Sequence, residues 1–360
     1  EVGVVFFDTT TLFFEGEGGD TLGLRGHNKD GHPELNQMVV GVVMDSQGNP
    51  LCCEMWPGNT ADVSSLVPIV DRLRQKFAVR SFCIVADRGM ISQPTIEELE
   101  ERGLEYILGA RLRTTTEVKE EVLGRAGRYR VVHPEPETAD DPSALQVKEV
   151  RVDDRRYVVC LNPEQARRDA ASRETIIDSL RKALKQGDKS LVGNKGYRRF
   201  LRPTGKTFAI DEDKAREEER YDGKWVLRTN TSLSAEEVAL KYKQLWMVES
   251  IFRTMKSVLD TRPIYHKMDE TICGHVFCSF LALKLMTELR RRLEKRKSQV
   301  EWKAAMADLD ALTEVELTHE GRQFLLRSTP QGATGKLFQA AGVAMPPTLR
   351  FLGPGEAENA

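Results

Sequence analysis

Two aspartates sit where an apolar, strand-forming run ends or is interrupted: Asp8 follows "GVVFF" and Asp87 follows "CIVA". A carboxylate in such a run is costly to bury unless it is paired, hydrogen-bonded or bound to a cation. A third acid, Glu249, lies in "YKQLWMVESIFRTMKS", hemmed in by Val248, Ile251 and Phe252. If the two strands are neighbours and the helix of Glu249 packs beside them, three carboxylates meet with no obvious counter-charge. Divalent metal would supply it. Mg²⁺ takes oxygen ligands, keeps several waters and is held by a few carboxylates plus substrate phosphate, as two-metal phosphoryl transfer requires.

The elements that must position these acids follow from hydrophobic periodicity. "VGVVFFDTTTLFFE", "QMVVGVVMD" and "PLCCEMW" read as strands, the last two joined by the turn Ser46-Gln47-Gly48-Asn49. "DVSSLVPIVDRLRQKF" has apolar residues at helical spacing, "SFCIVAD" is a short buried strand, "PTIEELEERG" is a helix with Pro in its first turn and Gly at its end, and "LEYILGA" is a further strand. This order predicts an α/β sheet whose first three strands are antiparallel neighbours. From Arg111 to Lys224 helical signals weaken, and "GRYRVVH", "VKEVRVDDRRYVVCLN" and "KTFAIDE" suggest short strands among charged helices, a separate β-rich insertion. "KWVLRTN" is then a strand, and "SAEEVALKYKQLWMVESIFRTMKSVL" is one helix with Ser234 as N-cap. On that helix Val248, Ile251, Phe252 and Met255 share the apolar arc with Leu245. Tyr242, Glu249 and Lys256, spaced by seven, stack within roughly 20° of one another at its margin. The expected division is 1–110 for the first part of the catalytic core, 111–224 for the insertion, 225–300 for the rest of the core, and 301–360 for a C-terminal helical region with a frayed tail.

Composition bounds the function class. At 360 residues and 40% hydrophobic content the chain can bury one large core or two smaller ones. A net charge of −2 argues against a uniformly basic nucleic-acid binder, although basic stretches such as "RLRT", "GRAGRYR" and "LRRRLEKRK" could line a phosphate groove. The reading finds no apolar run long enough to span a bilayer and no secretory leader, so no membrane partner is expected. The opening "EVGVVFFDTTT" reads as the middle of a domain, with an N-terminal segment left out. The six cysteines, in apolar surroundings and without a paired framework, are expected to be buried and reduced. The loop "RGHNKDGHPELNQ" carries Arg25, His27, Lys29, Asp30 and His32, where contact with DNA or the active site is possible.

These residues resemble the DDE-type transposases of bacterial insertion sequences, which have a ribonuclease-H-like core. The subgroup signature Y-x2-R-x3-E-x6-K is matched by Tyr242, Glu249 and Lys256, with Leu245 where the arginine should stand. "VVFFDTTTLFFE", "GHNKDGHPELNQMVVGVVMDSQGNPLCCEMWPGNTAD" and "IVADRGM" are similar to the same family, so the resemblance runs from Glu1 to about Leu285. The aspartates are 79 residues apart and Glu249 follows Asp87 by 162, a gap that in similar transposases holds a DNA-contacting β-rich insertion.

The resemblance implies a ribonuclease-H-like mixed sheet flanked by helices, with Asp8, Asp87 and Glu249 as catalytic ligands of Mg²⁺ or Mn²⁺, two ions in number. It implies DNA contacts from Tyr242, Lys256 and Arg253. It also implies that Trp225, just before the catalytic helix, stacks near an unpaired base. The expected activity is cleavage at transposon ends followed by strand transfer into target DNA, by a homodimer in a synaptic complex, in the bacterial cytoplasm at the nucleoid. Rival readings are a nuclease of the same fold that does not join strands and a degenerate, non-catalytic DNA-binding remnant, for which Leu245 is the best argument. A carbohydrate hydrolase using paired acids is more distant, because Tyr and Lys in column with an acid are not what that chemistry asks for.

Overall fold

The computed structural model describes residues 3–77, 82–186, 199–204 and 207–354. Three strands open the chain, β1 (Gly3–Phe13), β2 (Gln37–Asp45) and β3 (Pro50–Pro57). They are followed by α1 (Asp62–Phe77), β4 (Phe82–Ala86), α2 (Gln93–Glu101) and β5 (Glu105–Gly109). All seven fall where periodicity and turn chemistry put them. Ser92 caps α2 through its side chain, which accepts from the Thr95 N–H, and Pro stands in the first turn. A π-helical turn (Val118–Val122) precedes β6 (Arg130–His133), β7 (Leu145–Val152) and β8 (Arg155–Leu161). The chain continues through α3 (Pro163–Gln186), β9 (Leu201–Thr204), β10 (Thr207–Ile210), α4 (Glu212–Glu219) and β11 (Lys224–Thr229). Next come α5 (Ala235–Lys243), α6 (Trp246–Ser257), α7 (Asp269–Lys295), α8 (Trp302–Asp310), β12 (Glu314–His319), β13 (Arg322–Arg327), α9 (Thr334–Ala341) and β14 (Leu349–Pro354).

The chain divides into two compact units: Glu1–Asp8 with Ala61–Trp246, and Thr9–Thr60 with Met247–Ala360. The first contains a mixed sheet in the order β1-β4-β5-β11-β8-β7-β6. β1 runs parallel to β4 in the register Gly3↔Phe82 to Phe7↔Ala86, and β4 runs parallel to β5. β11 is antiparallel to both β5 and β8, pairing from Lys224↔Leu161 to Thr229↔Arg156 on the β8 side. The segment 111–224, expected as a separate insertion, therefore adds three strands to the same sheet, because β8 offers β11 a full ladder of backbone partners. Two small cores support this region. Val118, Val122, Val150, Val152, Tyr157, Val159 and Val226 cluster at one, and Ile177, Leu180, Phe200 and Ala215 at the other. Helix α2 packs on β5, and α5 packs on β4, β5, β7, β8 and β11, so helices flank the sheet as expected.

In the second unit β2 and β3 pair antiparallel from Met38↔Pro57 to Met44↔Pro50. Helix α7 packs on β3, where Lys284 Nζ donates to the Pro50 carbonyl (3.2 Å). Leu293, Ala305, Leu337 and Ala340 join α7, α8 and α9 in one core. The region after 301, expected to be helical, also contains a three-stranded antiparallel sheet in the order β12-β13-β14. Its hairpin turn is Glu320-Gly321, with φ of 47° and 71°, the two successive left-handed residues that a two-residue hairpin demands. Alternating Val315 and Leu317, paired with Leu326 and Phe324, carry the period-two signal, diluted by the charged residues between them. The tail from 355 onward, expected to fray, lies outside the described residues.

Three further expectations are corrected. Helix α7 is long and apolar enough to cross a membrane by length and composition, with a mean hydropathy of 1.4 over its most apolar stretch. In the fold it buries one stripe, Ile272, Val276, Phe280 and Leu283. Of the cysteines, Cys53, Cys83 and Cys160 are buried, but Cys278 is exposed on α7. Finally, the expected single helix through Tyr242 and Glu249 is two helices. The Gln244 N–H bonds back to Lys241 and Tyr242, and the Leu245 N–H takes the Tyr242 carbonyl (3.1 Å), a three-residue turn that ends α5. Tyr242 thus belongs to α5, while Glu249 and Lys256 share α6.

Helix α5 begins with a capping box in which the Ser234 side chain accepts from the Glu237 N–H, while the Glu237 carboxylate accepts from the Ser234 N–H. Ser234→Ala is expected to lower stability by about 1 kcal/mol. An unchanged urea midpoint would show that the packed face of α5 alone holds the helix.

Candidate active site

The first unit brings Asp8, Asp87 and Tyr242 together. β1 and β4 are parallel neighbours whose last paired residues are Phe7 and Ala86, so the next residue on each is an aspartate. Both aspartates are half-buried, following the fully buried Phe6-Phe7 and Val85-Ala86 steps. The phenol of Tyr242 donates to Asp87 Oδ1 at 2.8 Å. Burial pushes the Tyr242 phenol well above its ordinary range, and the carboxylates of Asp87 and then Asp8 add to the shift against the opposing pull of Arg88. It is therefore a neutral donor at any ordinary pH, and it senses both acids.

Gly109, the last residue of β5, makes room for this contact. A Cβ there would run into the Tyr242 hydroxyl and stand 2.9 Å from the Arg88 amide nitrogen. Sequence reading did not single out Gly109, although a glycine within a strand pattern marks a close approach of another group.

A cleft of ≈ 450 Å³ opens beside this cluster, lined by Asp87, Tyr242, Trp225 and the basic side chains of Arg88, Arg113, Arg173, Arg199 and Lys224. Several of these cations are held by acids of the same wall: Arg113 meets Glu218 (3.0 Å) and Arg173 meets Asp222 (2.5 Å). Trp225 pairs across the sheet with Cys160, and its indole Nε1 is buried without a hydrogen-bond partner. An orphan donor in a cleft wall is a place for an acceptor brought by a ligand.

The second unit holds Glu249, Arg253 and Lys256 on α6. Val248, Ile251, Phe252 and Met255 form its buried face. Glu249 lies in the first turn, where the helix dipole favours an acid, and is exposed, as is Arg253. Leu245, at the position where the signature has arginine, is buried and contributes packing rather than charge. Lys256 is not on the open surface. Its Nζ donates to Asp30 Oδ1 (2.8 Å), and both side chains are mostly buried. Burial lowers the pKa of Lys256 while the Asp30 carboxylate opposes that shift.

Asp8 and Asp87 suit a hard divalent cation, since neighbouring strands carry the two carboxylates at one level and oxygen ligands are what such a cation takes. Among the described residues no group of three or more His, Cys, Asp or Glu side chains stands ready to hold a metal. The geometry offers a pair.

Gly109→Ala is expected to destabilise the fold by ~1–3 kcal/mol through overpacking against the phenol. Adding Tyr242→Phe removes the hydroxyl and should restore part of that loss. Denaturant titration of the four members of this cycle measures the coupling, and strictly additive effects would clear the hydroxyl as the obstruction.

No curated protein matches this sequence. Among solved structures it is similar to the piggyBac transposase in a cryo-EM synaptic complex with hairpin DNA, at 11% identity and a TM-score of 0.47. That match covers 86% of this chain and 51% of the other, so the chain spans about half the length of that protein. The family profile described as "Transposase DDE domain" matches residues 3–283, from the first strand through the middle of α7, and the chain belongs to this family.

Proposed function

We propose that the chain is the catalytic part of a DNA transposase that cuts DNA at transposon ends and joins the freed 3′-hydroxyl to a second phosphodiester. The observation that carries this reading is the register of β1 and β4, which sets Asp8 and Asp87 side by side in a chain of the transposase DDE domain family. Glu249 is proposed as the third acid. Mg²⁺ or Mn²⁺, as two ions, would supply charge neutralisation at the attacking and leaving oxygens of an in-line displacement.

The chain's own residues have separable tasks in this scheme. Asp8 and Asp87 follow the last paired residues of β1 and β4 and so carry their carboxylates at one level, and Tyr242 holds Asp87 through Oδ1. This makes Tyr242 a positioning residue for an acid in addition to its proposed place near DNA. Trp225 and its basic neighbours line the cleft beside Asp87, which supports a role in receiving an unpaired base. Lys256 and Arg253 are proposed to meet phosphates, and the 111–224 segment to add DNA contacts. A synaptic homodimer acting on transposon ends and target DNA, in the bacterial cytoplasm at the nucleoid, completes the proposal.

Asp87→Asn should abolish Mg²⁺-dependent cleavage of DNA carrying the element's own ends while leaving DNA binding within about twofold, since it deletes ligand charge but no phosphate contact. Normal cutting by this variant in Mg²⁺ would remove Asp87 from the chemistry. Supplying pre-cut ends separates transposase from simple nuclease, because only the former joins them to a second duplex.

A further inference from the structure

Asp30 sits between two cations that reach it from different parts of the second unit. Lys256 Nζ on α6 donates to Oδ1 at 2.8 Å, and Arg262 Nη1, from the segment after α6, lies 2.6 Å from Oδ2. The two contacts are unequal. Oδ2 is buried and accepts no hydrogen bond of acceptable angle despite its closeness to Arg262, so the carboxylate matches the lysine and mismatches the guanidinium. The trio carries two positive charges and one negative.

The two cations come from α6 and from the segment after it. Lys256 projects from α6, anchored by its buried neighbour Met255, and the Arg262 guanidinium lies over the Phe13 ring, 5.3 Å from its centroid. Asp30 belongs to a turn that is tied to β1 on one side by the Lys29 ammonium, which donates to the Thr9 carbonyl and Oγ1 (both 2.9 Å). The Asn28 Oδ1 accepts from the Asp30 N–H (2.7 Å) and the His32 N–H (3.2 Å), and Gly31 turns the chain at φ 83°. The Lys29 N–H donates to Thr11 Oγ1 (3.0 Å). Two cations thus converge on one acid carried by a turn.

We propose that Lys256 and Arg262 form a seat for one DNA phosphodiester, and that the Asp30 carboxylate occupies this seat in the free chain and leaves it when DNA binds. A phosphodiester offers two anionic oxygens spread more widely than those of a carboxylate, one for the lysine and one for the arginine, so it can take the place that Asp30 holds between them. Arg262 thereby takes part of the phosphate-binding work, and Asp30 lowers affinity for any DNA that cannot displace it. The inference rests on the DNA-transposase reading.

The test uses the full chain and a duplex of arbitrary sequence, with affinity followed across a salt series. Asp30→Asn removes the internal competitor and should tighten binding by about fivefold at fixed salt. Arg262→Gln should make the slope of log affinity against log salt shallower by about 0.9, one phosphate contact. Hydrogen exchange on the unmodified chain provides a measurement that depends on no variant: the amides of Lys29, Asp30 and His32 should lose protection when DNA is added. If Asp30 merely braces the loop, its replacement lowers the melting temperature and leaves binding equal or weaker, which overturns the proposal. So does an unchanged slope in Arg262→Gln, or unchanged or increased protection of the three amides. Failure of the unmodified chain to bind duplex even at low salt would instead overturn the DNA reading, and the phosphate seat with it.

Discussion

The parallel pairing of β1 with β4 is the constraint on which the candidate chemistry depends. Parallel strands share a direction, so the register Phe7↔Ala86 brings the next residue of each, Asp8 within β1 and Asp87 just past the end of β4, to the same level. A one-residue slip would turn one carboxylate to the opposite face, because side chains alternate along a strand. The register is secured by the apolar residues before the acids. Phe6, Phe7, Val85 and Ala86 are fully buried, so a slip would break the close packing that each makes on its own face of the sheet. The acids gain their positions from hydrophobic burial that involves neither of them.

Around that edge the first unit is arranged to hold an acid still. Helix α5 lies on five strands, and its last turn delivers the Tyr242 phenol to Asp87 through the space left by Gly109. A hydrogen bond to a charged group is among the stronger ones and narrows the orientations of the carboxylate. The break after α5 matters for the same reason. A continuous helix would tie the placement of Tyr242 to that of Glu249 by a fixed rotation per residue. The turn at Gln244 and Leu245 releases them, so the phenol serves Asp87 while α6 is oriented by its own buried face of Val248, Ile251, Phe252 and Met255.

Charge in both units is managed locally rather than by net balance. In the cleft beside Asp87, basic side chains face acids on the same wall, and in the second unit Asp30 sits with Lys256 and Arg262. A net charge of −2 is therefore compatible with basic surfaces, because the acids that offset them are interleaved with them.

Much of this was legible in the sequence. Apolar strand runs ending in Asp8 and Asp87, the turn between β2 and β3, the cap at Ser234 and the apolar arc of α6 are local patterns, set by side-chain period and backbone chemistry over a few residues. What the tertiary structure decided depends on partners distant in the chain. The sequence put Tyr242 in column with Glu249, but a turn lacking Gly or Pro ended the helix between them, and the phenol found an acid 155 residues away. The resemblance implied a phosphate contact for Lys256, but no local pattern pointed to Asp30, 226 residues before it, as its partner. Strand runs in 111–224 do not announce their neighbours: the β8–β11 ladder joins β6, β7 and β8 to the main sheet, while β9 and β10 pair with each other. Periodicity fixes which face of an element is apolar. Which other element covers that face, and which charge meets which, is settled only when the whole chain has packed.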